Sequence, residues 1–177
     1  MRSLGIDFGF SLGYGFLAAG ANPASGSRRI EGDSIHMGCA GRCVDRVVRE
    51  LILEFRPDII AFATPFIGRV GKVTPTQLRP IMSFPTIGEM VCHELRIRCV
   101  EWDEPAARRA FVGDGNLPGK SEMIKAAIQQ ECRDRNWPCR DSHAGDALCI
   151  ADYTLAQLDP DYAHTTTALF QAKRPKR

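Results

Sequence analysis

A carboxylate interrupts the first apolar run of this chain. Leu4-Gly5-Ile6-Asp7-Phe8-Gly9 reads as a strand, and Asp7 sits inside it. A lone ionised acid among apolar residues is costly, so a fold that keeps Asp7 there must bring partners to it. This restricts the architecture to one in which a later element meets the first strand. Asp141-Ser142-His143-Ala144-Gly145-Asp146-Ala147-Leu148 offers such an element: His143 and Asp146 are three residues apart, hence neighbours on one face of a predicted late helix.

The order of elements agrees. Residues 3–9 and 12–18 read as two strands around Gly9-Phe10-Ser11, with Gly13, Gly15 and Gly20 marking twist or close backbone approach. Residues 21–27 read as a loop of Asn, Pro, Ser and Gly, and 28–36 as a third strand. Val44, Val47, Val48, Leu51, Ile52 and Phe55 recur with helical period, with Cys39 and Cys43 on or near that helix. Pro57 ends it, and Ile59 to Ala63 is a short apolar run typical of a buried central strand. Then follow a helical stretch from about Gln77 to Leu95, interrupted or begun again around Pro80 and Pro85, and a strand over 97–102. Helices over 104–111, around Met123 to Cys132, and over 142–158 complete the series. The expectation is an α/β fold, a five-stranded mixed sheet flanked by helices over residues 1–158, with a mobile basic tail over 159–177.

At 177 residues, 44% hydrophobic and 25% charged, general disorder is excluded and one domain suffices. A net charge of +2 neither demands nor excludes nucleic acid, but Lys173-Arg174-Pro175-Lys176-Arg177 concentrates four cations, and Arg28-Arg29, Arg108-Arg109 and Arg133 to Arg140 add local clusters. Seven cysteines without paired C-x-x-C spacing argue against a structural zinc site and for reduced thiols. No apolar stretch approaches about 18 residues and no secretory signal precedes the first strand, so a cytoplasmic protein without a membrane partner is expected.

A strand carboxylate facing a helix carboxylate is how a fold collects negative charge around divalent cations, and such sites cut phosphodiester bonds. The plainer alternative makes Asp141 or Ser142 a helix cap, His143 a satisfied surface group and Asp146 a complement to the helix dipole. Asp7 tips the balance toward a metal site, because two acids then need an explanation.

Four segments carry a resemblance. They are Gly5-Ile6-Asp7 with its following strand; Pro57-Asp58-Ile59-Ile60-Ala61-Phe62 ahead of Pro65-Phe66; Ala110-Phe111-Val112-Gly113-Asp114-Gly115 ahead of Lys120 and Met123; and His143-Ala144-Gly145-Asp146-Ala147-Leu148. In this order, over residues 3 to about 155, the chain resembles the RuvC-type Holliday junction resolvases of the ribonuclease H-like superfamily, particularly phage and prophage members. The resemblance implies an endodeoxyribonuclease that resolves four-way and branched DNA by paired nicks, acting as a homodimer with two Mg²⁺ (or Mn²⁺) ions per site. Its ligands would be an acid on the first strand, a glutamate ending the fourth strand, and two helix residues, the first Asp or His. Asp7, His143 and Asp146 match; the glutamate position is Ala63.

Cutting is therefore expected to be absent or impaired. Ala63 reads as an inactivating substitution, with a natural variant that borrows another acid, or one that has lost catalysis, as alternatives. Lys120 matches a lysine that faces the scissile phosphate, and Arg69, Lys72 and Lys125 join it as expected DNA contacts. The 77–95 region, with Ile81, Met82, Ile87, Met90 and Val91, is the expected dimer surface. Two other functions compete: a non-catalytic branched-DNA-binding protein of this fold, and, more remotely, a lobe of a sugar-kinase or actin-like ATPase. The latter need two similar lobes and a longer chain.

Overall fold

The structure, a computed structural model, describes residues 1–65, 74–113 and 121–162. Its elements are β1 (Arg2–Asp7), β2 (Ser11–Ala18), β3 (Ala24–Arg29), α1 (Met37–Phe55), β4 (Ile59–Ala63), α2 (Pro75–Leu95), β5 (Arg98–Trp102), α3 (Glu104–Val112), α4 (Ser121–Asp134) and α5 (Ser142–Leu158). The strands form one mixed sheet in the order β3-β2-β1-β4-β5. β1, β2 and β3 are antiparallel neighbours, while β4 runs parallel to β1 and β5 parallel to β4. The strand that carries Asp7 is therefore central.

Alternation along the strands builds two different faces. Leu4, Ile6, Leu12, Tyr14, Phe16, Ile60 and Phe62 join Val44, Val47, Val48 and Leu51 of α1 and Phe84 and Val91 of α2 in one apolar core. The opposite face of β1 and β2 carries Gly5, Asp7, Gly13 and Gly15, and Gly5 stands directly across from Gly15 as Asp7 does from Gly13. Here α5 rests on the sheet backbone to backbone. A Cβ at Gly5 would lie well under 3.0 Å from the Ala147 carbonyl oxygen, and one at Gly13 equally close to that of His143. At Gly15 it would lie 2.6 Å from the Leu148 nitrogen. Glycine is required at these positions by space, and the close approach delivers the start of α5 to the end of β1. Beyond α5 lies a second core of Leu17, Phe111, Ile128, Cys132, Leu148, Cys149, Ala151 and Leu155.

β4 and α5 occupy the spans read from periodicity. The third strand only overlaps its expected span: β3 lies at Ala24–Arg29, four of its six residues in the stretch read as a loop, and α1 begins at Met37. Its small residues pair through the backbone along β2, and Gly26 leaves room for the Tyr14 ring, so tertiary pairing overrides a turn-like composition. α2 is one helix through Pro80 and Pro85, opened by a Thr74–Gln77 capping box with Pro75 in its first turn. Of its expected dimer-surface residues, Met82 and Met90 are exposed, whereas Val91 is buried and Ile87 packs on the core. Asp7 ends β1 rather than lying within it.

Residues 159–162, assigned in sequence to a mobile tail, are tied down. Asp159 receives the N-terminal amine at 3.1 Å, and the Tyr162 hydroxyl donates to Asp152. The remainder of that expected tail lies outside the described residues. Among the described residues no helix is long and apolar enough to cross a membrane, and all seven cysteines are free.

Candidate metal centre

Asp141 caps α5, accepting from the Ala144 amide at 2.9 Å and from the Ser27 hydroxyl of β3 at 2.8 Å. The cap anchors the first turn of α5 over β1 and β2, where His143 Nδ1 comes within 3.0 Å of Asp7 Oδ2. One turn on, Asp146 is buried, and Arg108 holds both its oxygens: Nε is 2.9 Å from Oδ1 and Nη2 is 2.8 Å from Oδ2. The same Nη2 lies 2.6 Å from Glu104 Oε1. Glu104 opens α3 directly after β5, behind an Asp103 cap. One guanidinium thus joins two carboxylates from two helices.

The charges feel one another. Burial raises the Asp146 carboxyl above its ordinary value, with Arg108 opposing that rise and the charge of Asp7 adding to it. Burial also pushes the Glu104 carboxyl up to about 6, against the pull of Arg108, with Asp146 and Asp7 contributing repulsion. The hydrogen bond to Asp7 raises His143, and desolvation partly offsets it. Because the folded protein holds that proton more tightly than the unfolded chain, the stability gained from it is complete below about pH 6.5 and is lost as pH rises through the raised value. In metal-free buffer the melting temperature of the native protein should exceed that of His143→Asn most at about pH 5–6.5, and the gap should close above that window. A gap that widens with pH would contradict the Asp7–His143 pairing.

Ala63 ends β4 beside the end of β1. Ile6 pairs with Phe62, and both face the α1 core, so Ala63 and Asp7 share the α5 face. Lys125 lies on α4 with Glu122 at 4.0 Å; Arg69, Lys72 and Lys120 lie outside the described residues. Of the residues singled out in sequence, Asp7 and His143 meet directly, Asp146 lies on the same helix one turn on, and Ala63 ends the next strand. Glu104 and Arg108 were not foreseen. Arg108-Arg109 reads as a surface cation cluster, yet Arg108 turns inward; the available signal was an acid and an arginine four residues apart at the start of a helix that leaves a strand end.

Carboxylate oxygens beside an imidazole suit Mg²⁺ or Mn²⁺ in chemistry. Among the described residues no three such side chains are drawn together closely enough to hold an ion. Asp146, the natural third, is engaged by Arg108, whose positive charge already answers the electrostatic demand of the cluster. As they stand, the described side chains form an ion-paired cluster around Arg108 and not an assembled cation site.

No family model and no curated protein matches the sequence. Solved structures do match. RuvC from Thermus thermophilus is 20% identical over 89% of this chain and 96% of its own, with a TM-score of 0.61. T. thermophilus RuvC in complex with a Holliday junction substrate is 21% identical over 85% of this chain and 90% of its own, at 0.63. The yeast mitochondrial Holliday junction resolvase is 13% identical over 85% of this chain and 75% of its own, at 0.56. The chain has the ribonuclease H-like fold of the RuvC-type resolvases, a five-stranded mixed sheet with flanking helices.

Proposed function

We propose that this chain is a structure-selective endodeoxyribonuclease that binds four-way and other branched DNA junctions and nicks them with the help of divalent cations. The observation that carries the proposal is the meeting of Asp7 and His143 at the end of the central strand, with Asp146 one turn along the same helix, on the fold of a protein solved with a Holliday junction. Asp7, His143 and Asp146 would hold Mg²⁺ or Mn²⁺, which when bound polarises phosphoryl oxygens and lowers the pKa of a water nucleophile. The chain's own residues set the conditions. The cap at Asp141 and the glycine contacts orient His143; its imidazole must give up the proton that Asp7 favours before it can ligate; and Arg108 must release Asp146. A two-fold dimer would present two such sites to the two matching strands of a junction, and Met82 and Met90 on α2 are the part of its expected surface that is exposed. The free cysteines suit a cytoplasmic setting.

A non-catalytic junction-binding role is favoured by one observation, the pairing of Arg108 with Asp146 in a site that also has Ala63 where a glutamate is expected. Nicking assays with Mg²⁺ or Mn²⁺ separate the two. Binding itself is tested by gel shift. A four-way junction should be bound in preference to a linear duplex of equal length, with affinity falling about 10³-fold or more between 50 and 200 mM salt as counterions are released by some six or more phosphate contacts. Equal affinity for the two DNAs would contradict the proposal.

A further inference from the structure

We infer that Arg29, at the end of β3, and Arg140, beside the cap of α5, form a phosphate-binding track along the β3 side of the candidate site and hold the DNA strand that enters it. The inference rests on the nuclease proposal above and deepens it by naming where the backbone of branched DNA lies. Asp7, Gly13 and Ser27 stand in one row across β1, β2 and β3. The Ser27 hydroxyl reaches Asp141, and that of Ser25, on the same face, donates to the Pro138 carbonyl oxygen. By strand alternation Arg29 projects to that face too, two residues further along and across from Ser11. Its backbone is therefore about 12 Å from that of Asp7, with strands about 4.8 Å apart and a rise of about 3.3 Å per residue. Arg140 directly precedes Asp141, so the two arginines bracket the capped start of α5, which carries His143. Arg29 also lines a cleft of about 380 Å³ with Phe10, Ser11, Ile30 and Gly32, where the Ser11 hydroxyl offers an anion a second donor.

Charge and exposure carry the assignment. Both side chains are exposed, and among the described residues neither pairs with an acid, whereas Arg2, Arg49, Arg109 and Arg135 all do. Arg28, the preceding residue, is taken up on the other face by the Tyr14 ring, whose centroid is 5.1 Å from its Cζ. On the opposite flank of the site Arg108 turns inward onto Asp146 and Glu104, which already neutralise it. An anionic strand crossing the end of β1 thus meets unneutralised cations on the β3 side. A guard against edge-to-edge pairing is the alternative, since β3 is an edge strand and charges blunt such edges. That accounts for a cation on β3, but not for a second one on the loop that β3 touches, nor for the cleft beside the first.

Gel shifts of the full chain on a four-way junction over a range of salt concentrations test the track without reference to cutting. Arg29→Gln combined with Arg140→Gln should weaken binding about tenfold or more at about 100 mM salt. It should also flatten the slope of log affinity against log salt by about 2, since each lost phosphate contact removes about 0.9. Arg96→Asn combined with Arg98→Gln is the control. It removes the same charge from exposed positions at the opposite end of the sheet, and asparagine tolerates the left-handed backbone of residue 96, where φ is 55°. That pair should keep the native slope. Equal flattening by both pairs would reduce the effect to net charge and overturn the track. A native slope after Arg29→Gln with Arg140→Gln, while the native chain prefers the junction to linear duplex, would overturn the track and leave the nuclease reading standing. Native protein without that preference would overturn both. Should loss of the edge charge make Arg29→Gln self-associate, Arg140→Gln alone, off the strand, should flatten the slope by about 1, and an unchanged slope there would overturn the track.

Discussion

Replacing Asp7 with Asn should lower cation-dependent nicking of a four-way junction by about 10³-fold, equivalent to about 4 kcal/mol of transition-state stabilisation. Asp7 ends the central strand, flanked by β2 and β4, and it contacts His143 of the helix laid across the sheet. Asparagine keeps the shape and can still hydrogen-bond to His143, but it removes the charge that a divalent cation needs from a carboxylate. Junction affinity should hold or rise, because one negative charge has left a site that must receive a phosphate. The substitution thus splits cutting from binding. If Asp7 served only to tie β1 to α5, Asp7→Asn would lower the melting temperature while the folded fraction cut at the native rate.

The second large effect concerns how α5 is held in place. Gly15→Val should cost about 3 kcal/mol or more, or abolish folding. A Cβ at position 15 would stand 2.6 Å from the Leu148 nitrogen and 2.7 Å from its Cα, and backbone cannot step aside as a flexible side chain can. The helix would have to lift from the sheet, parting His143 from Asp7 and opening the cores on which Leu148 and Leu155 depend. Gly38→Ala in α1 is the contrasting substitution. A Cβ there meets nothing within 4 Å, and alanine favours the helix, so a gain of up to about 1 kcal/mol is expected. Urea unfolding of the two variants checks both signs. A Gly15→Val protein as stable as the native one would mean that α5 does not rest directly on β1 and β2.

These glycines also show what a sequence can and cannot reveal. Gly13 and Gly15 among apolar residues announce a close backbone approach, and the structure shows α5 making it; Gly20, read in the same way, instead has a φ of 74° in a turn with open space around it. The need of Asp7 for partners is legible because an unpaired acid in an apolar strand is costly whatever the fold. The bounds of β4 and α5 are legible because burial imposes period and length on them. β3 is hidden, since Ala24-Ser25-Gly26-Ser27 carries no strand preference and is held by ladder bonds to β2. Arg135 is hidden likewise: it reads as part of a surface cation run, but stacks on Phe111 and Trp137 and pairs with buried Asp152 at 3.3 Å. The Glu104–Arg108–Asp146 contact joins residues about forty positions apart in the chain, and no local pattern encodes such a meeting.

Incubation of the native protein with a labelled four-way junction and an equal-length linear duplex, in Mg²⁺ or Mn²⁺, decides whether the site cuts branched DNA. Paired nicks in two matching strands of the junction are expected, slow or absent from the native chain and clearly faster after Ala63→Glu supplies the missing carboxylate, with the duplex left whole and EDTA stopping the reaction. Junctions that remain uncut by both folded proteins at saturating concentration would contradict a metal-dependent junction nuclease.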